Sequence, residues 1–269
     1  MSHFGTITCL SDLGNADESV GVIHSILRQA APHALVIDLS HEIDPGDTRT
    51  AALMLARSVP YLAPGIVLAS VGHRLVRPAI AVSVGDGQSM LVGPDNGVLA
   101  AATAAVGGAD EAVLIGLDPA SEAASALHPA RDVLAPAAGR LAAGEPLSSL
   151  GAAVDPSLLL PALVAVPRIA DDGMVIAEVL SVTRWGTVQI NVDREILDGL
   201  GDLLVAEWAP TPQSDTSQAV RLMPPRQAGT SGLALADDPH GLLELTVAGG
   251  SAAHLGLDVG TEVRLRPAT

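Results

Sequence analysis

Thr6-Ile7-Thr8-Cys9-Leu10-Ser11-Asp12-Leu13-Gly14-Asn15-Ala16-Asp17-Glu18-Ser19 carries the first legible switch from strand to helix in the chain. Thr6 to Leu10 has strand character and runs directly into a polar turn. Gly14 lets the backbone reverse sharply. Asp17 is placed to N-cap a helix that carries Val20, Ile23, Ile26 and Leu27 on one face and ends before Pro32. A strand followed at once by an amphipathic helix is the repeating unit of an α/β domain. A carboxylate at the C-terminal end of such a strand stands where these folds bind ligands. Ionised Asp12 only accepts hydrogen bonds, and its two oxygens suit a vicinal diol such as a ribose. The plainer alternative is that Asp12 and Asp17 cap the turn and the helix and do nothing more.

Outward from this stretch the alternation continues. Ala34 to Leu39 reads as a second strand, and Asp47 can cap a helix that buries Ala51, Leu53, Met54 and Ala56. Strands are expected at Ile66 to Val71, Ala79 to Val84, Met90 to Val92 and Ala112 to Ile115, with helices from about Gly97 to Ala105 and Val133 to Ala143. Residues 1–155 therefore predict an α/β domain with a largely parallel sheet. The second half changes character. Val175 to Val182, Gly186 to Val192, Leu203 to Trp208, Ala219 to Leu222, Leu242 to Val247 and Glu262 to Leu265 are short strands without a long helix between them. That pattern predicts a small β-barrel or sandwich over 169–269, joined through a segment punctuated by Pro156, Pro161 and Pro167.

Composition removes several classes of function. The 269 residues are 48% hydrophobic, which excludes a disordered chain. All basic residues are arginine, and 14 of them against 30 acidic residues leave a net charge of −16. A chain this acidic, with Phe4, Tyr61, Trp185 and Trp208 as its aromatics, is a poor nucleic-acid partner. The lone Cys9 allows no intramolecular disulfide and no cysteine-based zinc site, and its apolar neighbours predict a buried, inert thiol. Neither an export signal at Met1-Ser2-His3-Phe4-Gly5 nor an apolar run long enough for a bilayer is read, so a cytoplasmic chain without membrane contact is expected. Asp38, His41, Glu42, Asp44 and Asp47 crowd one loop. A single histidine among scattered carboxylates lacks zinc-ligand spacing, so loop hydrogen bonding and helix capping are expected there and no metal.

Several segments together resemble one family. They are Ser11-Asp12-Leu13-Gly14 with Asp17, Val36-Ile37-Asp38-Leu39-Ser40-His41 with Pro45 and Asp47, and Pro94-Asp95-Asn96-Gly97-Val98-Leu99. Arg131-Asp132-Val133-Leu134-Ala135-Pro136 and Leu141-Ala142-Ala143-Gly144 follow, then Trp185-Gly186-Thr187-Val188-Gln189-Ile190-Asn191-Val192 and Gly241-Leu242-Leu243-Glu244-Leu245. In this order they resemble the S-adenosyl-L-methionine hydroxide adenosyltransferases, whose relatives include the fluorinase and chlorinase. The resemblance implies an N-terminal α/β domain, a C-terminal β-barrel, and a homotrimer holding a nucleoside between subunits. It implies displacement at the 5′-carbon of S-adenosylmethionine, most simply by water to give adenosine and L-methionine, with no cofactor beyond that substrate.

Carried over residue by residue, the resemblance gives Asp12 to the ribose hydroxyls, with Asp17 and Ser19 flanking the same pocket. Asn191 matches the barrel's asparagine, but Thr183 and Thr187 replace the family's Asp and the Asn of F-G-N. Asp238-Pro239-His240-Gly241 replaces N-S-x-G, and these losses weaken the case for methionine bound in the family manner. Thr183, Thr187 and Ala252 are still taken as substrate-binding positions. Other positions depart from the family. The hydrolytic pattern D-P-G-V-G-T-x-R-R becomes Ser70-Val71-Gly72-His73-Arg74-Leu75-Val76-Arg77-Pro78, so Arg77 is kept and the aspartate is replaced by Ser70. The pattern F-H-G-R-D becomes His128-Pro129-Ala130-Arg131-Asp132, with His128 one place early. Ser70, Arg77 and His128 are thus the expected catalytic residues, with His73 and Arg74 as possible substitutes for lost charge. Without the aspartate, Arg77 is expected to face the nucleophile uncompensated, and hydrolysis to be slow. Nothing matches the halogenases' Y-P-x-T-G, so halide chemistry is not expected. The competing readings are a catalytically weakened nucleoside-binding or trimeric scaffold protein, and an adenosyl-transferring enzyme with a changed substrate.

Overall fold

Strand residues of the first half alternate between two apolar faces, and the fold follows from covering both. The structure, a computed structural model, describes residues 4–72, 76–116, 128–161, 165–211, 214–227 and 232–268. The chain divides into two compact units, Met1–Leu163 and Val164–Thr269. The first contains β1 (Thr6–Ser11), α1 (Ser19–Ala30), β2 (Leu35–Ser40), α2 (Thr48–Ser58), β3 (Ile66–Ser70), β4 (Ala79–Val84), β5 (Ser89–Pro94), α3 (Ala100–Ala105), β6 (Ala109–Ile115), α4 (Ala135–Ala142) and β7 (Gly151–Val154). Its sheet has the order β2-β1-β3-β5-β4-β6-β7. Strands β2, β1, β3 and β5 pair in parallel, and the pairs β5–β4, β4–β6 and β6–β7 are antiparallel.

Period-two alternation sorts the core into two layers. Ile7, Cys9, Ile66, Leu68, Ala79 and Ala81 pack with Ile23 and Leu27 of α1 and with Val133, Leu134 and Leu141 around α4. Leu10, Val67, Ala69, Ile80 and Val82 pack on the other side with Ala51 and Leu55 of α2 and Val98, Leu99 and Ala102 around α3. Both faces of β3 and β4 are buried, which is why those strands read as continuous apolar runs. Helices α1 and α4 pack closely because position 139 is glycine; a Cβ there would lie 2.5 Å from the Cβ of Ala30.

Local chemistry shifts some boundaries from those expected. Asp17 accepts the Ser19 N–H at 2.8 Å, but the cap position of α1 is Glu18. Asp47 does cap α2, accepting the Thr50 N–H. Helix α3 starts at Ala100, because Gly97 sits at φ +90° and the Asn96 side chain turns the chain by accepting the Val98 N–H. Helix α4 is entered through a π-turn over Ala130–Leu134, so helical structure begins before Val133.

The second unit is a closed β-barrel. Its strands are β8 (Arg168–Ile169), β9 (Val175–Val182), β10 (Val188–Ile190), β11 (Leu203–Thr211), β12 (Ser214–Leu222), β13 (Leu233–Asp237), β14 (Leu243–Val247) and β15 (Glu262–Pro267). The order β10-β14-β13-β12-β11-β15-β9 closes through the β9–β10 pairing, with β8 added along β9. Closure leaves the ring without a free edge and selects a barrel over a sandwich. Val175, Ala177, Val179, Leu204, Ala206, Trp208, Val263 and Leu265 alternate into the interior. Trp208 satisfies its indole by donating to the Leu255 carbonyl at 2.9 Å.

Candidate active site

A cavity of about 620 Å³ opens beside the C-terminal end of β1. That is the size range of small-molecule sites. Its lining includes Asp12, Asp17, Ser19, Ser70 and His128, so five of the residues singled out in the sequence meet at one place. They come from different elements. Asp12 follows β1, Asp17 and Ser19 open α1, and Ser70 ends β3, next to β1 in the sheet. His128 and Pro129 precede the π-turn that leads into α4. Parallel strands ending side by side thus gather side chains distant in sequence.

Asp12 is held firmly. Its Oδ2 accepts the backbone N–H groups of Gly46 and Gly72, each at 2.8 Å, and its own N–H donates to the Ser70 carbonyl. Among the described residues Oδ1 has no partner, which leaves one carboxylate oxygen for a ligand. Gly46 and Gly72 both have positive φ, and both line the cavity. Sequence reading passed over this pair of amides; their signal was a glycine on each of two loops facing the end of β1. The Ser19 amide holds the Asp17 carboxyl below its usual range. Asp12, Asp17 and Glu18 give the wall an acidic character, and Arg131 on the same wall is paired with Asp132 at 2.7 Å.

Arg77 does not line this cavity. Its guanidinium donates to the Asp95 carboxylate at 2.9 Å and to the Asp95 carbonyl at 3.3 Å. Asp95 is buried, so the cation expected to stand uncompensated has a carboxylate partner. His73 and Arg74 lie outside the described residues.

The barrel positions fall into two kinds. Thr183 and Thr187 close the β9–β10 hairpin, their hydroxyls 2.7 Å apart at the surface. Asn191 is buried and bound to backbone on both sides of its amide, accepting from Glu178 N–H at 2.7 Å and donating to the Ala165 carbonyl at 2.9 Å. Ala252 is fully buried and donates its N–H to Gly186. Cys9 is buried as well; desolvation, with the nearby Asp38 charge adding, pushes its thiol up to about 12. Such a thiol stays protonated and is not a nucleophile at neutral pH.

Comparison with known proteins gives a consistent result. The family model described as "SAM hydroxide adenosyltransferase N-terminal domain" matches residues 7–151. A protein of Salinispora tropica named (R)-S-adenosyl-L-methionine hydrolase is 39% identical over 263 residues, covering 96% of this chain and 97% of that one. A protein of the same name from Salinispora arenicola is 39% identical over 252 residues, covering 93% and 92%. A crystal structure of an uncharacterized conserved protein from Thermotoga maritima superposes with a TM-score of 0.80 at 24% identity, covering 97% of this chain and 99% of that one.

Proposed function

Because the chain belongs to the SAM hydroxide adenosyltransferase family, we propose that it splits S-adenosyl-L-methionine with water into adenosine and L-methionine. The observation that carries this reading is the single cavity wall shared by Asp12, Ser70 and His128. The water oxygen bonds to the 5′-carbon, and the carbon–sulfur bond breaks with its electron pair passing to sulfur. The leaving group is a neutral thioether, so no acid need protonate it; the water's proton goes to solvent. The protein's work is to align the two reactants and to exclude bulk water.

Asp12 keeps Oδ2 on the two glycine amides and offers Oδ1 to the ribose hydroxyls. The acidic wall suits a sulfonium and an ammonium. Ser70 and His128 orient the attacking water, while Arg77 acts only as half of a neutralised pair with Asp95. In the assembled protein, a cytoplasmic homotrimer in this reading, the barrel of a neighbouring subunit brings Thr183, Thr187, Asn191 and Ala252 toward the nucleoside. Of these, the surface hydroxyls of Thr183 and Thr187 are the groups best able to meet a ligand directly.

Turnover in H2(18)O tests the chemistry. Attack at the 5′-carbon puts the heavy oxygen into the 5′-hydroxyl of adenosine, with an equal yield of methionine. Release of methylthioadenosine, or adenosine without label, would overturn this reading. The absence of a carboxylate at position 70 and the Arg77–Asp95 pair favour a second reading, a nucleoside binder without turnover. Adenosine binding with no product at any enzyme concentration would select it.

A further inference from the structure

Behind the cavity wall, three side chains from separate elements converge. His24 of α1 and His41, just after β2, each bring Nε2 to the same oxygen of Asp38, at 2.8 and 3.0 Å. One ligand atom from each of the three lies within 4.8 Å of the other two. His41 is 95% buried by its 5% exposure, and its Nδ1 is engaged by the Ser11 hydroxyl at 2.6 Å. Its Nε2 is fully buried, 3.0 Å from Asp38 Oδ1, and has no hydrogen-bond partner of good geometry among the described residues. A buried ring nitrogen left in this way is costly. With Ser11 accepting from Nδ1–H, the Nε2 lone pair faces a carboxylate, an arrangement that a cation between them relieves.

We propose that His24, Asp38 and His41 bind a divalent first-row transition ion of the zinc class, with solvent completing its coordination. Two imidazoles and one carboxylate favour such an ion over calcium or magnesium, which prefer all-oxygen shells. Tetrahedral zinc with ligands at about 2.0–2.1 Å separates neighbouring ligand atoms by roughly 3.3 Å. The observed 2.8 and 3.0 Å need open by only a few tenths of an ångström. Ser11 supplies the partner on the far nitrogen that ligating histidines commonly have. The second histidine comes from α1, fourteen residues before Asp38, which is why the loop alone showed no ligand spacing. None of the three lines the cavity, but α1 gives it Ser19, Val22 and Ile23, and Ser11 adjoins Asp12. An ion here would tie α1 to β2 behind that wall. The site stands or falls independently of the hydrolytic reading.

The test uses the full-length, untagged chain, stripped of metal and titrated with zinc by calorimetry, and with cobalt(II) followed by visible absorption. The expected result is one zinc per chain and cobalt d–d bands of tetrahedral intensity. His24→Gln, on a partly exposed helix face, and Asp38→Asn should each weaken zinc binding by at least about 100-fold. Ser11→Ala should weaken it by about 10–100-fold, the usual effect of losing an outer partner. Circular dichroism establishes that each variant is folded, and the wild-type cobalt spectrum needs no variant. Wild-type protein that binds no zinc, that gives no d–d bands, or that binds zinc no better than folded His24→Gln would overturn the site. The two imidazoles would then simply share Asp38 by hydrogen bonding.

Discussion

At the scale of single residues, Asp12 has two functions that one substitution can separate. Its Oδ2 clamps the Gly46 and Gly72 turns, and Oδ1 is available to a ligand. Asp12→Asn keeps an oxygen for the clamp and removes the charged acceptor. We expect it to weaken adenosine binding by about 1.5–3 kcal/mol, the range for a hydrogen bond to a charged group, with little change in melting temperature. Equal affinities by calorimetry would remove Asp12 from the ribose. Ser70 and His128 make a second test. Hydrolysis should be slow beside a relative with the intact pattern, since each positioned acid–base group typically contributes about 10²–10⁴ in rate. Ser70→Asp with Pro129→His should raise adenosine release, measured by chromatography. A rate unchanged by the two substitutions would show that Ser70 and His128 already suffice. The sequence made Asp12, Ser70 and His128 legible because each lies in a recognisable ordered motif. It could not show that Arg77 is committed to Asp95, because those two residues meet only through the β4–β5 pairing.

At the scale of elements, periodicity was most readable where both faces of a strand are buried or where a helix has one apolar side. It failed where the chain uses small residues. β7 is Gly-Ala-Ala-Val and β13 is Leu-Ala-Leu-Ala-Asp; neither carries β-branched density, and both are strands because neighbours pair with them. Small residues also set helix spacing. Gly139→Ala gains about 1 kcal/mol in helix propensity, but its methyl would lie 2.5 Å from the Ala30 Cβ. Overpacking of this kind costs about 1–3 kcal/mol, so the clash should win and the melting temperature fall. Adding Ala30→Gly should restore part of the loss; a Gly139→Ala chain as stable as wild type would disprove the close α1–α4 contact. On β14 of the barrel, burial raises the carboxyl of Glu244 above its usual range, and the nearby Asp238 charge adds, against a hydrogen bond from Thr187. A carboxyl raised in the folded state holds its proton longer than in the unfolded chain. Its stabilising effect is therefore complete below the ordinary glutamate value and lost as pH rises through the folded one. Glu244→Gln should melt higher than wild type at neutral pH, and this advantage should vanish in acid. A constant difference across pH would assign the effect to packing.

At the scale of the whole molecule, charge and apolar surface pull in opposite directions. Each chain carries −16, so bringing three together raises self-repulsion. Against this stands β2, the edge strand of its sheet, paired among the described residues only with β1 and with Leu35 and Ile37 at 62% and 38% exposure. An apolar edge left open in this way invites pairing with another chain or aggregation, and soluble proteins ordinarily cover or charge it. The proposed trimer would cover it. Repulsion between exposed charges is screened over about 10 Å at 0.1 M salt, while apolar contact is not weakened by salt. We therefore expect a solution mass three times the 27.2 kDa of one chain, with dissociation on dilution suppressed as salt rises from about 0.02 to 0.3 M. Leu35→Asp should shift the equilibrium toward single chains while leaving the barrel's melting unchanged. Light scattering behind size exclusion reads the mass, its salt dependence and the variant's shift in one series, and circular dichroism reads the melting. A single-chain mass at micromolar concentration, unaffected by salt, would rule out the trimer and leave the β2 edge to some other partner.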